Sequence, residues 1–162
     1  MSPEDDKQDD DKQYFTLAEA NLSLGLLREL FERVMQLRAQ LKTLYGRLEN
    51  AGHPPREEHL RGSSQVMSTP GSSEMPADVQ RDLVLFRGLV ETLREQVDEI
   101  QATGCVIKDI EVGLVDWPAL HHGREVLLCW KYGEREVGWW HDLESGFAGR
   151  RPVSELDEDQ PQ

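Results

Sequence analysis

Apolar residues recur at Leu27, Leu30, Val34, Leu37, Leu41, Leu44 and Leu48, alternating three and four apart. That is the a/d repeat of a helix that lays one narrow seam against a partner. A second seam runs through Val79, Leu83, Phe86, Val90, Leu93, Val97 and Ile100. The first helix is announced by Thr16-Leu17-Ala18-Glu19, a capping box in which hydroxyl and carboxylate each take the other residue's amide. Asn50, Gly52, Pro54 and Pro55 end it, so the pattern predicts a helix over about 17–50. Pro76 suits a first turn and Gly104 the left-handed position after the last, which predicts a second helix over about 77–103. With one seam reversed, Leu48 meets Val79, Leu44 meets Leu83, Leu37 meets Val90 and Leu27 meets Ile100, in one constant register. The expectation is a long antiparallel two-helix coiled-coil hairpin. Leu24, Phe31, Leu85 and Leu89 form a second ridge off the seam. It reads either as cover for the rest of the chain or as a contact between copies.

After Gly104 the period changes to alternation. Val106–Ile110 and Glu125–Tyr132 read as strands, and Arg135–Asp142 as a return strand across a tight Gly133-Glu134 turn. Residues 113–123 read as a loop, because Pro118 argues against a central strand. The turn sets a register in which Trp130 faces Val137, Leu128 faces Trp139 and Val126 faces His141. The fold class is therefore α+β, a long antiparallel two-helix coiled-coil hairpin with a small C-terminal antiparallel β-sheet. One face of the sheet is expected on the helices near Tyr14, Phe15, Leu22 and Leu26, and the other keeps an aromatic surface.

Charge refines this picture. Of 162 residues with a net charge of −13, residues 1–13 hold six acids against two lysines and 154–162 hold four acids and no base. Both ends read as disordered acidic tails flanking the hairpin of 14–104 and the β module of 105–153. The Gly-, Pro- and Ser-rich stretch 51–75, with His53 and His59, reads as a flexible linker. No basic patch offers phosphate contacts, so no nucleic-acid partner is expected. There is no apolar run of membrane-spanning length and no secretory h-region, which predicts a cytoplasmic protein without a membrane partner. Cys105 and Cys129 then read as small buried hydrophobes. With no CxxC pair, no His/Cys cluster at ligand spacing and no nucleotide fingerprint, no metal and no cofactor are expected.

The residues that remain for chemistry are Asp116, Trp117, Trp130, Trp140, His141, Asp142 and Arg150, the last closing a Gly-x-x-Gly-Arg stretch. A histidine beside carboxylates can act as a base or a ligand, and an arginine on a Gly-rich loop can hold an anion. The same residues read more simply as a hydrogen-bonded strand end and an ordinary turn.

Tyr14-Phe15-Thr16-x-x-Glu19-Ala20-Asn21, Lys108-Asp109, Gly113-Leu114-Val115-Asp116-Trp117-Pro118, Leu128-Cys129-Trp130, Trp140-His141-Asp142 and Gly146-Phe147-Ala148-Gly149-Arg150 together resemble an uncharacterised prokaryotic family, the domain of unknown function 2203. The resemblance spans nearly the whole chain apart from the tails and the linker. It implies no established activity, so it transfers no catalytic residue. The functional expectation is a non-enzymatic protein-interaction or scaffold module, using the helical hairpin and an aromatic β surface. Its partner would be another protein or a second copy in a homodimer. The alternative is a small-molecule or anion-binding protein, even a hydrolase, using the Asp/His/Arg rim. Convergence of Asp116, His141, Asp142 and Arg150 on one site is what would favour it.

Overall fold

A computed structural model describes residues 12–57 and 75–156. Most of the acidic tails, 1–11 and 157–162, and most of the linker, His59 included, lie outside the described residues, while Val153–Glu155 at the start of the second tail forms a single 3-10 turn. Leu17–Leu22 (α1), Leu24–Asn50 (α2) and Ala77–Ala102 (α3) are helices. Five strands follow: Val106–Asp109 (β1), Leu114–His121 (β2), Arg124–Lys131 (β3), Trp139–His141 (β4) and Arg151–Pro152 (β5). They form one antiparallel sheet in chain order. The class is α+β. Contacts divide the described residues into two units, one within 12–31 with 100–156 and one within 32–99.

The first helix begins where the capping box places it. Thr16 N–H donates to Glu19 Oε1 and Glu19 N–H to Thr16 Oγ1, both at 3.1 Å. It does not run unbroken to Asn50, however. At Ser23 the hydroxyl donates to the Ala20 carbonyl at 2.7 Å, and Ser23 N–H reaches the same carbonyl at 3.2 Å. A serine that satisfies a carbonyl of its own preceding turn competes with the helical ladder, and the helix is interrupted there. Inside this unit Ala20, Leu24, Leu27, Leu30, Phe31 and Ile100 are buried. Leu22 and Leu26, expected to meet the sheet, are exposed instead. The buried stripe runs through Ala20, Leu24, Leu27 and Phe31, spaced four, three and four, and leaves Leu22 and Leu26 on another side of the helix.

Leu114–His121 was expected to be loop, yet it is an eight-residue strand paired along its length with β3. Pro118 is accommodated by geometry. In a strand a residue's N–H and C=O point to the same flank, and the Pro118 carbonyl accepts from Phe15 N–H at 2.8 Å. The flank where the proline lacks a hydrogen therefore faces away from β3. β1 pairs only with Leu114–Asp116, so at Pro118 that flank is already an edge, where proline is permitted.

The β3–β4 register also differs from expectation. Leu127 stands opposite His141, Leu128 opposite Trp140 and Cys129 opposite Trp139, a slip of one residue. The cause is the turn. Glu134 N–H donates to the Lys131 carbonyl at 2.9 Å, and Gly133 has φ +102°. This closes a four-residue turn with its left-handed position at Gly133, and the chain then leaves the ladder. Val137 N–H is taken by Asn21 Oδ1 at 2.8 Å, and the Arg135 carbonyl by the Arg28 guanidinium. The return strand is thereby cut from Arg135–Asp142 to Trp139–His141.

Because strand side chains alternate, the sheet has two distinct faces. Val115, Trp117, Ala119, Val126, Leu128, Trp130 and Trp140 share one and are all buried. The Phe31 ring lies 6.2 Å from both Trp130 and Tyr132 on that side. The expected aromatic surface is mostly absent: three of the four indoles lie in the core, and only Trp139 is exposed.

In the unit of residues 32–99, Leu44, Leu48 and Val79 form a buried cluster, flanked by Met75, Leu83, Phe86 and Leu89. Arg47 pairs with Asp82 at 2.6 Å beside it. Leu44, Leu48, Val79, Leu83 and Phe86 belong to the two apolar seams, whereas Met75 and Leu89 do not.

Candidate functional site

The second face of the sheet carries the polar chemistry. Asp116 on β2 stands directly opposite Cys129 on β3, and Cys129 opposite Trp139 on β4. Two residues beyond Trp139, His141 returns to the same face. Three side chains with different donor atoms thus meet from three neighbouring strands, at most 3% exposed. One donor atom from each, a carboxylate oxygen, the Cys129 sulfur and a ring nitrogen, lies within 4.8 Å of the others.

The histidine is held at both nitrogens. Nδ1 lies 2.7 Å from the Asp142 carbonyl and Nε2 3.1 Å from Asp116 Oδ2. A carbonyl only accepts, so Nδ1 carries a hydrogen. A neutral ring has one hydrogen for two nitrogens, so with Nδ1–H the Nε2 lone pair faces the carboxylate, an arrangement that a positive ion between Nε2 and Oδ2 would satisfy. The other carboxylate oxygen, Oδ1, is buried without a hydrogen-bond partner among the described residues. A buried, unsatisfied acceptor is costly and is rarely kept without a use. The Cys129 thiol is pushed up to about 12, first by burial and then by the Asp116 charge. Alone, it stays a thiol at neutral pH.

Arg150 completes this region. It donates to Glu134 Oε1 at 2.6 Å, and the same oxygen accepts from Lys131 N–H at 2.7 Å. The guanidinium lies 4.6 Å from the Phe147 ring centre and 5.1 Å from that of Trp139. Its charge is close enough to Cys129 to oppose, without overcoming, the upward push on the thiol.

The sequence candidates therefore separate. Asp116, His141 and Arg150 lie in this region. Asp142 joins them through its backbone carbonyl alone. Trp117, Trp130 and Trp140 point to the core face, where Trp130 Nε1 donates to the Glu134 carbonyl at 3.0 Å and Trp140 Nε1 to the Pro152 carbonyl at 3.1 Å. Cys129, read from the sequence as a packing residue, is the member that was missed. The signal available was parity: with β2 recognised as a strand, Asp116 and Cys129 become cross-strand neighbours.

Among the described residues no helix is long and apolar enough to cross a membrane. The family model described as an uncharacterised conserved protein, the domain of unknown function 2203, matches residues 13–153. No curated protein and no solved structure matches the chain.

Proposed function

We propose, from the premise that the chain belongs to the family of uncharacterised conserved proteins called domain of unknown function 2203, that it is a small-ligand-binding protein whose site is the Asp116–Cys129–His141 cluster. One observation carries this reading. Asp116, 1% exposed, keeps one oxygen without a partner beside a histidine whose second nitrogen also faces an acceptor. A core selected only for stability would do as well with apolar residues there. Arg150, braced by Glu134, Phe147 and Trp139, supplies a positive neighbour for any anionic part of the ligand. Cytoplasmic residence fits the two free, buried thiols.

The test is the mass of the full chain isolated and sprayed under non-denaturing conditions. The wild type is expected to carry a non-covalent adduct that Asp116→Asn and His141→Gln lack. Masses for all three that equal those calculated from their sequences, with no adduct, would overturn the reading.

A second reading has its own support. Val84, Leu85 and Tyr45 in the helical unit are exposed, at 54%, 52% and 40%. On this reading α2 and α3 form a coiled-coil hairpin that docks another protein or a second copy, as a non-enzymatic scaffold. Sedimentation should then show a homodimer that Leu85→Glu dissociates. A strictly monomeric chain at high concentration, with no loss of partner binding in Leu85→Glu, removes this reading.

A further inference from the structure

We propose that Asp116, Cys129 and His141 are three protein ligands of one divalent, zinc-class metal ion, leaving a fourth position for water or a small anion. The inference deepens the binding reading above and rests on it.

The donor set is the first argument. Sulfur, imidazole nitrogen and carboxylate oxygen together suit a borderline ion such as zinc, whereas calcium and magnesium take oxygen alone. Three protein ligands with one open place are the usual arrangement of a zinc site that exchanges a ligand.

Geometry is the second. Zinc–nitrogen and zinc–oxygen bonds of about 2.0–2.2 Å at a tetrahedral angle separate the two donors by about 3.3 Å, a value that follows from those bond lengths. Nε2 and Oδ2 stand 3.1 Å apart. A metal–sulfur bond of about 2.3 Å would set the sulfur about 3.6 Å from the other two donors, inside the 4.8 Å within which all three lie.

Charge is the third. A thiolate, a carboxylate and a neutral imidazole sum to −2, so a divalent ion leaves the buried centre neutral. The neighbouring Arg150 is already balanced by Glu134. A divalent ion therefore answers the burial of Asp116 without leaving a net charge in a low-dielectric setting.

The outer contacts are the fourth. A metal-bound histidine commonly donates its other N–H to a backbone carbonyl, which fixes its tautomer and aims its lone pair. His141 Nδ1 does this to Asp142 at 2.7 Å. Binding then proceeds with a defined balance. The Cys129 S–H bond breaks, sulfur bonds to the metal, and the proton leaves to solvent. Any proton held between Nε2 and Oδ2 leaves with it, so loading releases one to two protons per ion.

The experiment uses the full chain, stripped with a chelator and titrated with Co²⁺ as a spectroscopic stand-in for zinc. One Co²⁺ should bind per chain, with the near-ultraviolet band of a thiolate–cobalt bond and the visible bands of a four-coordinate ion. Zn²⁺ should displace it. Cys129→Ala should abolish the thiolate band, and Cys105→Ala should leave it unchanged. Should Cys129→Ala not fold, Asp116→Asn is read instead, with an expected affinity loss of at least about 100-fold. Proton release, measured in buffers of different ionisation enthalpy, should fall by one in Cys129→Ala. No saturable Co²⁺ site, or a thiolate band that survives Cys129→Ala, overturns the proposal. If the isolated chain carries an organic adduct sensitive to Asp116→Asn while Co²⁺ fails to bind, the metal is excluded and the binding reading stands. If neither appears, both fall.

Discussion

A β-carbon built on Gly104 would stand 2.2 Å from Phe15 Cζ, with φ at Gly104 of +100°. Gly104, two residues past the end of α3, takes the left-handed conformation that closes many helices, and the aromatic ring uses the space that the missing side chain leaves. Gly104→Ala should cost about 2–4 kcal/mol by urea denaturation, combining backbone strain with overpacking. In a double-mutant cycle with Phe15→Leu, part of that loss should be recovered, because the clash is with the ring. Strict additivity would mean that the two residues do not share the space.

Proline tolerance in β2 should alternate with position. Pro118→Ala is expected to lose only about 0.4–1 kcal/mol, the stiffening that proline gives the unfolded chain. Ala119→Pro should cost about 3 kcal/mol or more, because Ala119 faces Val126 with its N–H on the β3 side. Thermal melts of the two variants decide it, and comparable losses would contradict the edge placement of Pro118.

Alkaline pH should weaken the metal-stripped fold through Cys129. Its thiol is raised from an ordinary 9.0 to about 12. Unfolded chains thus release this proton at lower pH than folded ones. The contribution is fully present below about pH 9 and is lost as pH rises toward 12. Stability measured from pH 8 to 11 should fall less steeply in Cys129→Ala than in wild type. Parallel slopes would show that the thiol is not held neutral by its surroundings.

Glu134 joins the turn after β3 to Arg150 through one oxygen. Glu134→Ala leaves Lys131 N–H and a largely buried guanidinium without that acceptor. The expected loss, discounted for the partial exposure of Glu134, is about 1–2 kcal/mol in chemical denaturation. Glu134→Gln should lose less, since an amide oxygen can still accept from both. An Ala variant as stable as wild type would show that water replaces the carboxylate at no cost.

Local rules carried the helical part of the sequence well. Thr16 and Glu19 cap as their spacing requires, and Gly104 ends α3 as its lack of a side chain allows. Only Ser23 departs, because its hydroxyl satisfies Ala20 in place of the next helical amide. The sheet was less legible, for two particular reasons. Pro118 signals a break when judged alone, and only the early end of β1 makes it acceptable. The turn at Gly133 was consistent with a two-residue connection, but Asn21, far away in sequence, captures Val137 and lengthens it. Asp116 and His141 stood out by type. Cys129 did not, because its role depends on the register that those long-range contacts set.

The connection 132–138 thereby fixes more than the distance between two strands. Side chains in a strand take opposite sides by turns, so adding or removing a single residue there would send His141 into the indole layer and bring Trp140 round to Asp116. A change of two would return His141 to the right face, but about 6.6 Å further along the strand. The meeting of carboxylate, thiol and imidazole thus depends on the length of that connection. A neutral-looking loop deletion would abolish it while leaving all three residues in the sequence.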